Sequence, residues 1–308
     1  MRIAVMGAGA VGGYFGGQLA RAGNEVTLIA RRAHLEAIRD RGLTVKSHWG
    51  EFNVKIDATD DTGSVGPVDL AILSVKGYQN AAAIPALAPM MGDGSCVLTL
   101  QNGVASYDEV AGVVGAGRVL AGAAYMETHV ESPGVIKQEG EVVRIVFGEA
   151  DGEETERARR IREALRAAGV DAQVSGDVMK ALWTKFLYIA TMAGVSSAAR
   201  TPMSVLLSLD AARETMLSCM REVEAVARAR AIDLDAGVVQ RTMEYMDSEA
   251  ESLQASMHTD LTAGRPLELE ALNGAVVGMG RELGIPTPVN DTLYSTLLPH
   301  REGSPAGS

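Results

Sequence analysis

The chain has 308 residues, of which 47% are hydrophobic, enough to bury one large core or two smaller ones. Lys and Arg number 28 and Asp and Glu number 39, giving a formal net charge of −11. No segment gathers the basic residues into a patch, which argues against nucleic-acid binding. The sequence has no run of 18 apolar residues and no signal-peptide pattern after Met1, so we expect a cytoplasmic protein that does not bind membranes.

The N-terminal half alternates short apolar strands with helical segments. Predicted strands lie at residues 3–6, 25–30, 43–46, 52–56, 69–75, 96–100, 119–124, 142–147 and 171–174. Predicted helices lie at residues 10–23, 33–40, 78–91 and 153–168. This alternation is typical of a parallel sheet covered on both faces. We therefore predict a Rossmann-type, doubly wound domain over residues 1–175.

From Asp177 onward the strand signal stops. Predicted helices lie at residues 178–192, 210–231, 236–254, 268–283 and 290–298. The fold class is therefore α/β, with an N-terminal Rossmann-type sheet followed by an all-helical substrate and catalytic domain over residues 176–300. Residues 301–308 hold Gly, Ser and Pro without an apolar anchor, so we predict a disordered tail.

A glycine-rich turn, Gly7-Ala8-Gly9-Ala10-Val11-Gly12, joins the first strand to the first helix. Gly7 permits a tight turn, Gly9 lets the backbone approach a pyrophosphate, and Gly12 lets the helix lie close to the strand. All six residues are candidates for binding a dinucleotide. The alternative is a glycine-rich turn that packs without a ligand.

The second strand ends in Ala30-Arg31-Arg32, where NAD-binding domains carry an acidic residue for the ribose hydroxyls. A guanidinium there suits the 2′-phosphate of NADP instead. We therefore predict NADP(H) as the cofactor, with Arg31 contacting its phosphate. The alternative is that both arginines are exposed residues at the start of a helix.

Six segments together resemble the ketopantoate reductases (2-dehydropantoate 2-reductases), which reduce a branched 2-keto acid with NADPH. They are Gly7 to Gly12, Ala30 to Arg32, Ser74-Val75-Lys76, Gln101-Asn102-Gly103, Trp183-x-Lys185, and the stretch from Ser256 through Glu268 to Asn273-Gly274. The resemblance implies that Lys185 is the general acid and that Glu268 completes the active site near the cofactor. It also implies that Asn102 and Ser256 hold substrate or nicotinamide, and that Lys76 lies beside the cofactor.

Chemistry supports the role of Lys185 independently, because hydride attack on a ketone builds negative charge on oxygen, which an ammonium group can stabilise and protonate. Alternatively, Lys185 has no catalytic role: its methylene chain covers apolar surface and its ammonium group reaches solvent. Glu268 could instead be an acid in the first turn of a helix, and Ser256 a helix N-cap. Asn102 could simply form an Asn-Gly turn.

The sequence departs from the family where asparagines that bind substrate usually follow the lysine. Ile189, Ala193 and Met203 occupy these positions, which predicts that ketopantoate itself is a poor substrate. Arg200 could receive a carboxylate, or could be a surface residue. The five histidines have no paired metal spacing, so no metal site is predicted, while His258 and Lys180 are weaker alternatives as acids.

Three functions follow from this pattern. The first is an NADP-dependent oxidoreductase that reduces a small-molecule 2-keto acid, 2-dehydropantoate or a close analogue. The second is a reductase of a different, more apolar carbonyl compound, and the third is an NADP(H)-binding sensor without catalysis. A homodimer through the helical domain is left open.

Overall fold

The computed structural model describes residues 1–304, which contain ten β-strands and twelve α-helices. The strands are β1 (Arg2–Met6), β2 (Glu25–Ile29), β3 (Leu43–Ser47), β4 (Gly50–Val54), β5 (Asp57–Thr59), β6 (Leu70–Leu73), β7 (Cys96–Thr99), β8 (Val119–Ser132), β9 (Val135–Gly148) and β10 (Asp171–Val174). The helices are α1 (Ala10–Arg21), α2 (Arg32–Arg41), α3 (Asn80–Ala83), α4 (Ser106–Val114), α5 (Glu156–Ala167), α6 (Val178–Ala199), α7 (Met203–Leu207), α8 (Asp210–Ala229), α9 (Val238–Ser248), α10 (Ser256–Thr262), α11 (Ala275–Leu283) and α12 (Pro288–Leu297).

Six strands form a parallel sheet in the order β5-β2-β1-β6-β7-β8. In chain order this is the 3-2-1-4-5-6 arrangement of dinucleotide-binding domains. The predicted Rossmann-type fold is therefore confirmed. The strand order reverses between β1 and β6, and ligands of such sheets bind at the carboxyl ends of the strands at this point.

The sheet is buried on both faces, as the continuous apolar runs indicated. Ile3 and Val5 of β1 belong to one core, whereas Ala4 and Met6 belong to the other. Neighbouring side chains on a strand point to opposite faces, so each four-residue run supplies both cores.

The antiparallel hairpin β8–β9 is much longer than the predicted strands at residues 119–124 and 142–147, because each of its strands has 14 residues. β3 and β10 pair with opposite ends of β9. The outer half of the hairpin is mostly polar and exposed. An apolar run therefore marks only the buried half of each strand.

The chain divides into two compact units, one of residues 1–101 and 106–181 and one of residues 102–105 and the chain from Leu182 onward. The second unit is helical, with a core built by α6, α8, α9 and α12. In α8, Met216, Met220, Val223 and Ala227 are buried and form one apolar stripe. The short helices α4 and α7 were not predicted.

The predicted disordered tail is wrong for its first part. Arg301 accepts a backbone hydrogen bond from Leu267 N at 2.9 Å, and Ser304 N donates to Gly264 O at 3.2 Å. These backbone bonds order residues 301–304 without an apolar anchor. The rest of the predicted tail, residues 305–308, lies outside the described residues. Among residues 1–304, no helix is long and apolar enough to cross a membrane.

Candidate active site

The glycine-rich turn has the geometry that each glycine was predicted to provide. Gly7 has φ +103°, and a Cβ there would lie 2.7 Å from Val75 Cγ1. A Cβ on Gly12 would lie 2.1 Å from Gly7 O, so only glycine lets α1 approach this closely. A Cβ on Gly9, in contrast, would meet no atom within 4 Å. The open side of Gly9 leaves room for a ligand against the backbone.

A cavity of about 550 Å³ lies beside this turn, within the first unit. Its walls include Gly7, Ala8 and Gly9, the end of β2 at Ile29 to Arg31, and Val75 after β6. Ala10, Val11 and Gly12 form the first turn of α1, whose free N–H groups favour an anion. The cavity, the turn and the helix terminus together fit a dinucleotide.

Arg31 lines this cavity and is exposed. Within residues 1–304 its guanidinium makes no hydrogen bond or ion pair, so it is free to bind an anion. Arg31 is also the N-cap residue of α2, and Arg32 begins that helix with φ +52°. The two alternatives for Arg31 are thus compatible, because it lies at a helix start and faces the cavity. Lys76, the other predicted cofactor cation, directly follows Val75, which lines the same cavity.

Lys185 lies on α6 in the second unit, and its Nζ donates to Asn102 Oδ1 at 3.1 Å. Its neighbours Trp183 and Phe186 are buried and pack edge to face, with ring centroids 5.5 Å apart. These two rings fix the rotation of α6 against the core. The Lys185 head is held by Asn102 on a partly buried part of the helix.

Burial lowers the pKa of the Lys185 ammonium to about 8, while the nearby Glu268 carboxylate acts in the opposite direction. Glu268 is buried and precedes the helical turn at Glu270–Gly274, so it does not occupy the first turn of a helix. Lys185, Asn102 and Glu268 thus come together in one unit. A proton donor with a pKa near the working pH is suited to general acid catalysis.

The segment Glu270–Gly274 is a single π-helical turn, a feature often found at functional sites. Asn273 anchors it, because its Nδ2 donates to Ala190 O of α6 at 3.2 Å and to Asn290 Oδ1 of α12 at 2.9 Å. On its other side, a Cβ on Gly103 would lie 2.7 Å from Ala271 O. The turn therefore holds the Asn102-Gly103 segment close to α6.

Comparison with known proteins agrees with this geometry. Models of the family described as ketopantoate reductase PanE/ApbA match residues 3–152, and those of its C-terminal part match residues 177–300. The chain belongs to this family. It is 30% identical to a 2-dehydropantoate 2-reductase of Mesorhizobium japonicum over 96% of each chain.

Solved structures give the same result. A PanE/ApbA family ketopantoate reductase from Ralstonia eutropha is 32% identical, with a TM-score of 0.90 over 98% of each chain. A D-mandelate dehydrogenase, solved with NADH and anilino(oxo)acetate, is 26% identical, with a TM-score of 0.89 over 98% of each chain. These findings confirm the prediction of an oxidoreductase that acts on a CH–OH or C=O group. A second D-mandelate dehydrogenase structure, a complex with NADH, is 26% identical, with a TM-score of 0.87.

The structure bears on two further candidate substrate residues, Ser256 and Arg200. Ser256 is exposed, and Ala255 rather than Ser256 is the N-cap of α10, so the capping alternative is wrong. Arg200 follows the end of α6, where its Nη2 lies 3.1 Å from His300 Nε2. Arg200 comes 15 positions after Lys185, which corresponds to about 22 Å along the axis of α6. The ketone and carboxylate of a 2-keto acid are adjacent, so Arg200 cannot bind the carboxylate while Lys185 contacts the ketone.

The three residues that replace family asparagines are not equivalent in the structure. Ile189 lies one helical turn beyond Lys185 and is partly exposed. Ala193 is only 4% exposed and Met203 only 1%, and both belong to the core of the helical unit. Ile189 is therefore the one of the three that is best placed to contact a bound substrate.

Two residues of the cofactor cavity, His34 and Glu131, were missed by the sequence analysis. Glu131 lies near the tip of the β8–β9 hairpin, in the polar half that gave no strand signal, and it pairs with Lys46. His34 was considered only as a metal ligand. Its spacing of three residues from Arg31, in the first turn of a helix, is the signal that could have identified it.

Proposed function

We propose that this protein is an NADPH-dependent reductase of a 2-keto acid, 2-dehydropantoate or a close analogue, with Lys185 as the proton donor. The observation that carries the proposal is the amine of Lys185, hydrogen-bonded to Asn102 and lying near the buried Glu268 carboxylate. A non-catalytic sensor would have no need of this arrangement.

In the proposed reaction the cofactor supplies the hydride. The residues of this chain bind the cofactor, orient the proton donor and protonate the substrate oxygen. The glycine-rich turn and the first turn of α1 hold the pyrophosphate through backbone N–H groups. As oxygen of the substrate gains negative charge, the Lys185 ammonium stabilises it and then donates a proton. Asn102 orients that ammonium through its Oδ1, and Glu268 favours its charged form. Ser256 has a free hydroxyl and is a further candidate for substrate binding.

NADP(H) is proposed over NAD(H) because Arg31 lines the cavity and the end of β2 carries no acid. Glu131, which also lines the cavity, is paired with Lys46, which lowers the pKa of that carboxyl through a hydrogen bond and offsets its charge. The pair therefore opposes a bound phosphate less than a lone carboxylate would. Lys76 is proposed to lie beside the same cofactor.

A second candidate substrate is a 2-keto acid with a more apolar side chain. Ile189 supports it, because this residue cannot hydrogen-bond a hydroxyl group in the position where the family usually has an asparagine. The similarity to a D-mandelate dehydrogenase also supports it, since that enzyme was solved with anilino(oxo)acetate.

The test is a screen of the purified protein for loss of NADPH absorbance with a panel of 2-keto acids that includes ketopantoate. Turnover of at least one acid, with NADPH preferred over NADH, is the expected result. Binding of NADPH without turnover of any acid would favour the sensor. Cytoplasmic location and a homodimer through the helical domain stay predictions, and sedimentation analysis would check the second.

A further inference from the structure

His34 is a half-buried side chain of α2 whose two ring nitrogens are both hydrogen-bonded to backbone. Nε2 lies 2.8 Å from Ala8 O, and Gly134 N lies 3.1 Å from Nδ1. A carbonyl can only accept and a backbone N–H can only donate, so Nε2 carries the proton and Nδ1 accepts. Burial also lowers the pKa of His34, which keeps the ring neutral. One tautomer of a neutral ring therefore satisfies both bonds.

The two bonds join segments that are far apart in sequence. Ala8 belongs to the glycine-rich turn, whereas Gly134 lies at the tip of the β8–β9 hairpin, 100 residues from His34. Residues 130–133, which precede Gly134 in the hairpin tip, line the same cavity as the glycine-rich turn. His34 thus fixes two walls of this cavity relative to each other. Thr44 N also donates to Gly134 O at 2.9 Å, next to the pairing of β3 with β9, so the tip has a second support from the sheet.

The bond to Ala8 also orients a peptide group of the turn. Ala8 N donates to Ile29 O at 3.0 Å, and Ala8 O accepts from His34, so both ends of this residue are held. In a planar trans peptide the C=O and the following N–H point in opposite directions. Holding the Ala8 carbonyl therefore fixes the direction of the Gly9 N–H. Gly9 is the residue at which the turn is open to a ligand.

We propose that His34 is a positioning residue for the dinucleotide, holding the glycine-rich turn and the hairpin tip in the conformation that binds the pyrophosphate. The inference rests on the proposed function, because it assumes that the cavity binds a nicotinamide dinucleotide. It differs from the role of Arg31 in one measurable respect. NADPH and NADH share the pyrophosphate, so His34 contributes equally to the binding of both.

The experiment measures Kd for NADPH and for NADH by fluorescence titration of the full chain. His34→Phe keeps the ring but removes both hydrogen bonds, and it is expected to raise both Kd values by about tenfold. Arg31→Ala is expected to raise only the Kd for NADPH.

Two conservative variants separate the two hydrogen bonds. The amide of His34→Gln reaches the position of Nε2 and can donate to Ala8 O, whereas His34→Asn reaches only the position of Nδ1. His34→Gln should bind both nucleotides within about threefold of the unmodified protein, and His34→Asn about tenfold more weakly. This comparison stays decisive if His34→Phe does not fold. His48→Phe is the matched control, since His48 lies in the same unit outside the cavity wall.

Unchanged Kd values in His34→Phe, or equal binding by the Gln and Asn variants, would overturn the inference while leaving the proposed function intact. A selective loss of NADPH binding alone would also overturn it, because that would give His34 the role assigned to Arg31. Failure of the unmodified protein to bind either nucleotide would overturn the proposed function as well.

Discussion

Lys185 Nζ lies 3.1 Å from Asn102 Oδ1, although 83 residues separate the two along the chain. Asn102 to Ala105 belong to the compact helical unit, whereas the residues on either side of this segment belong to the first unit. Asn102 lies three residues after the end of β7, and its side chain accepts a hydrogen bond from the Lys185 amine of α6. This contact defines the candidate catalytic group, and four predictions follow from the geometry around it and around the cofactor cavity.

Lys185→Ala is expected to lower kcat by about 10² to 10⁴-fold, the usual contribution of a positioned proton donor. The Kd for NADPH should change by no more than a few fold, because the cofactor cavity lies in the first unit. Steady-state kinetics and fluorescence titration measure the two quantities. Arg200→Ala is the matched control and should retain near-normal kcat, since it lies about 22 Å along α6. Normal turnover in Lys185→Ala would assign the proton to Lys180 or His258.

The rate of carbonyl reduction should fall as the pH rises above about 8, because the pKa of Lys185 is lowered to about 8 by burial and only the protonated amine can donate. The Glu268 carboxylate raises this pKa, so Glu268→Gln should move the alkaline limb to lower pH. A pH profile of kcat/KM in both proteins measures the shift. A limb that moved to higher pH in the variant would contradict the assigned pair.

Arg31→Ala should remove most of the preference for NADPH over NADH, which corresponds to about 1.5–3 kcal/mol for a lost charge-assisted hydrogen bond. Its effect on NADH should be small, because that cofactor has no 2′-phosphate. Calorimetric titration with both nucleotides measures the difference. Arg32→Ala is a suitable control, since Arg32 is not part of the cavity wall. Equal affinity of the unmodified protein for both cofactors would rule out the prediction.

Ile189→Asn should shift kcat/KM toward ketopantoate relative to apolar 2-keto acids, because it restores a hydrogen-bonding group one helical turn beyond Lys185. The unmodified protein should prefer apolar acids in a graded manner, by about 1–3 kcal/mol per methylene. Ile189→Val keeps the apolar character and serves as the control. Ala193→Asn would instead overpack the helical core and should lower the melting temperature. Ketopantoate as the best substrate of the unmodified protein would contradict this prediction.

The sequence by itself determined the Rossmann-type half and the glycine-rich turn. Strand β1, Gly7 to Gly12 and α1 are continuous in the chain, so their apolar runs and glycine spacing are local signals that the fold does not alter. Arg31 was also identified from a local signal, because it lies two residues after the end of β2. Lys185 and Glu268 were identified through the family resemblance and the chemistry of ketone reduction.

Only the tertiary structure decided which of these residues share a site. Asn102 contacts Lys185 because the loop at residues 102–105 packs as part of the helical unit. No local sequence pattern predicts that contact. Arg200 was excluded because a continuous helix extends by 1.5 Å per residue and carries it away from Lys185. His34 became a candidate only when the hairpin tip and the glycine-rich turn were brought to its two nitrogens. Hydrogen bonds between distant segments depend on how the chain packs, whereas periodicity describes one segment at a time.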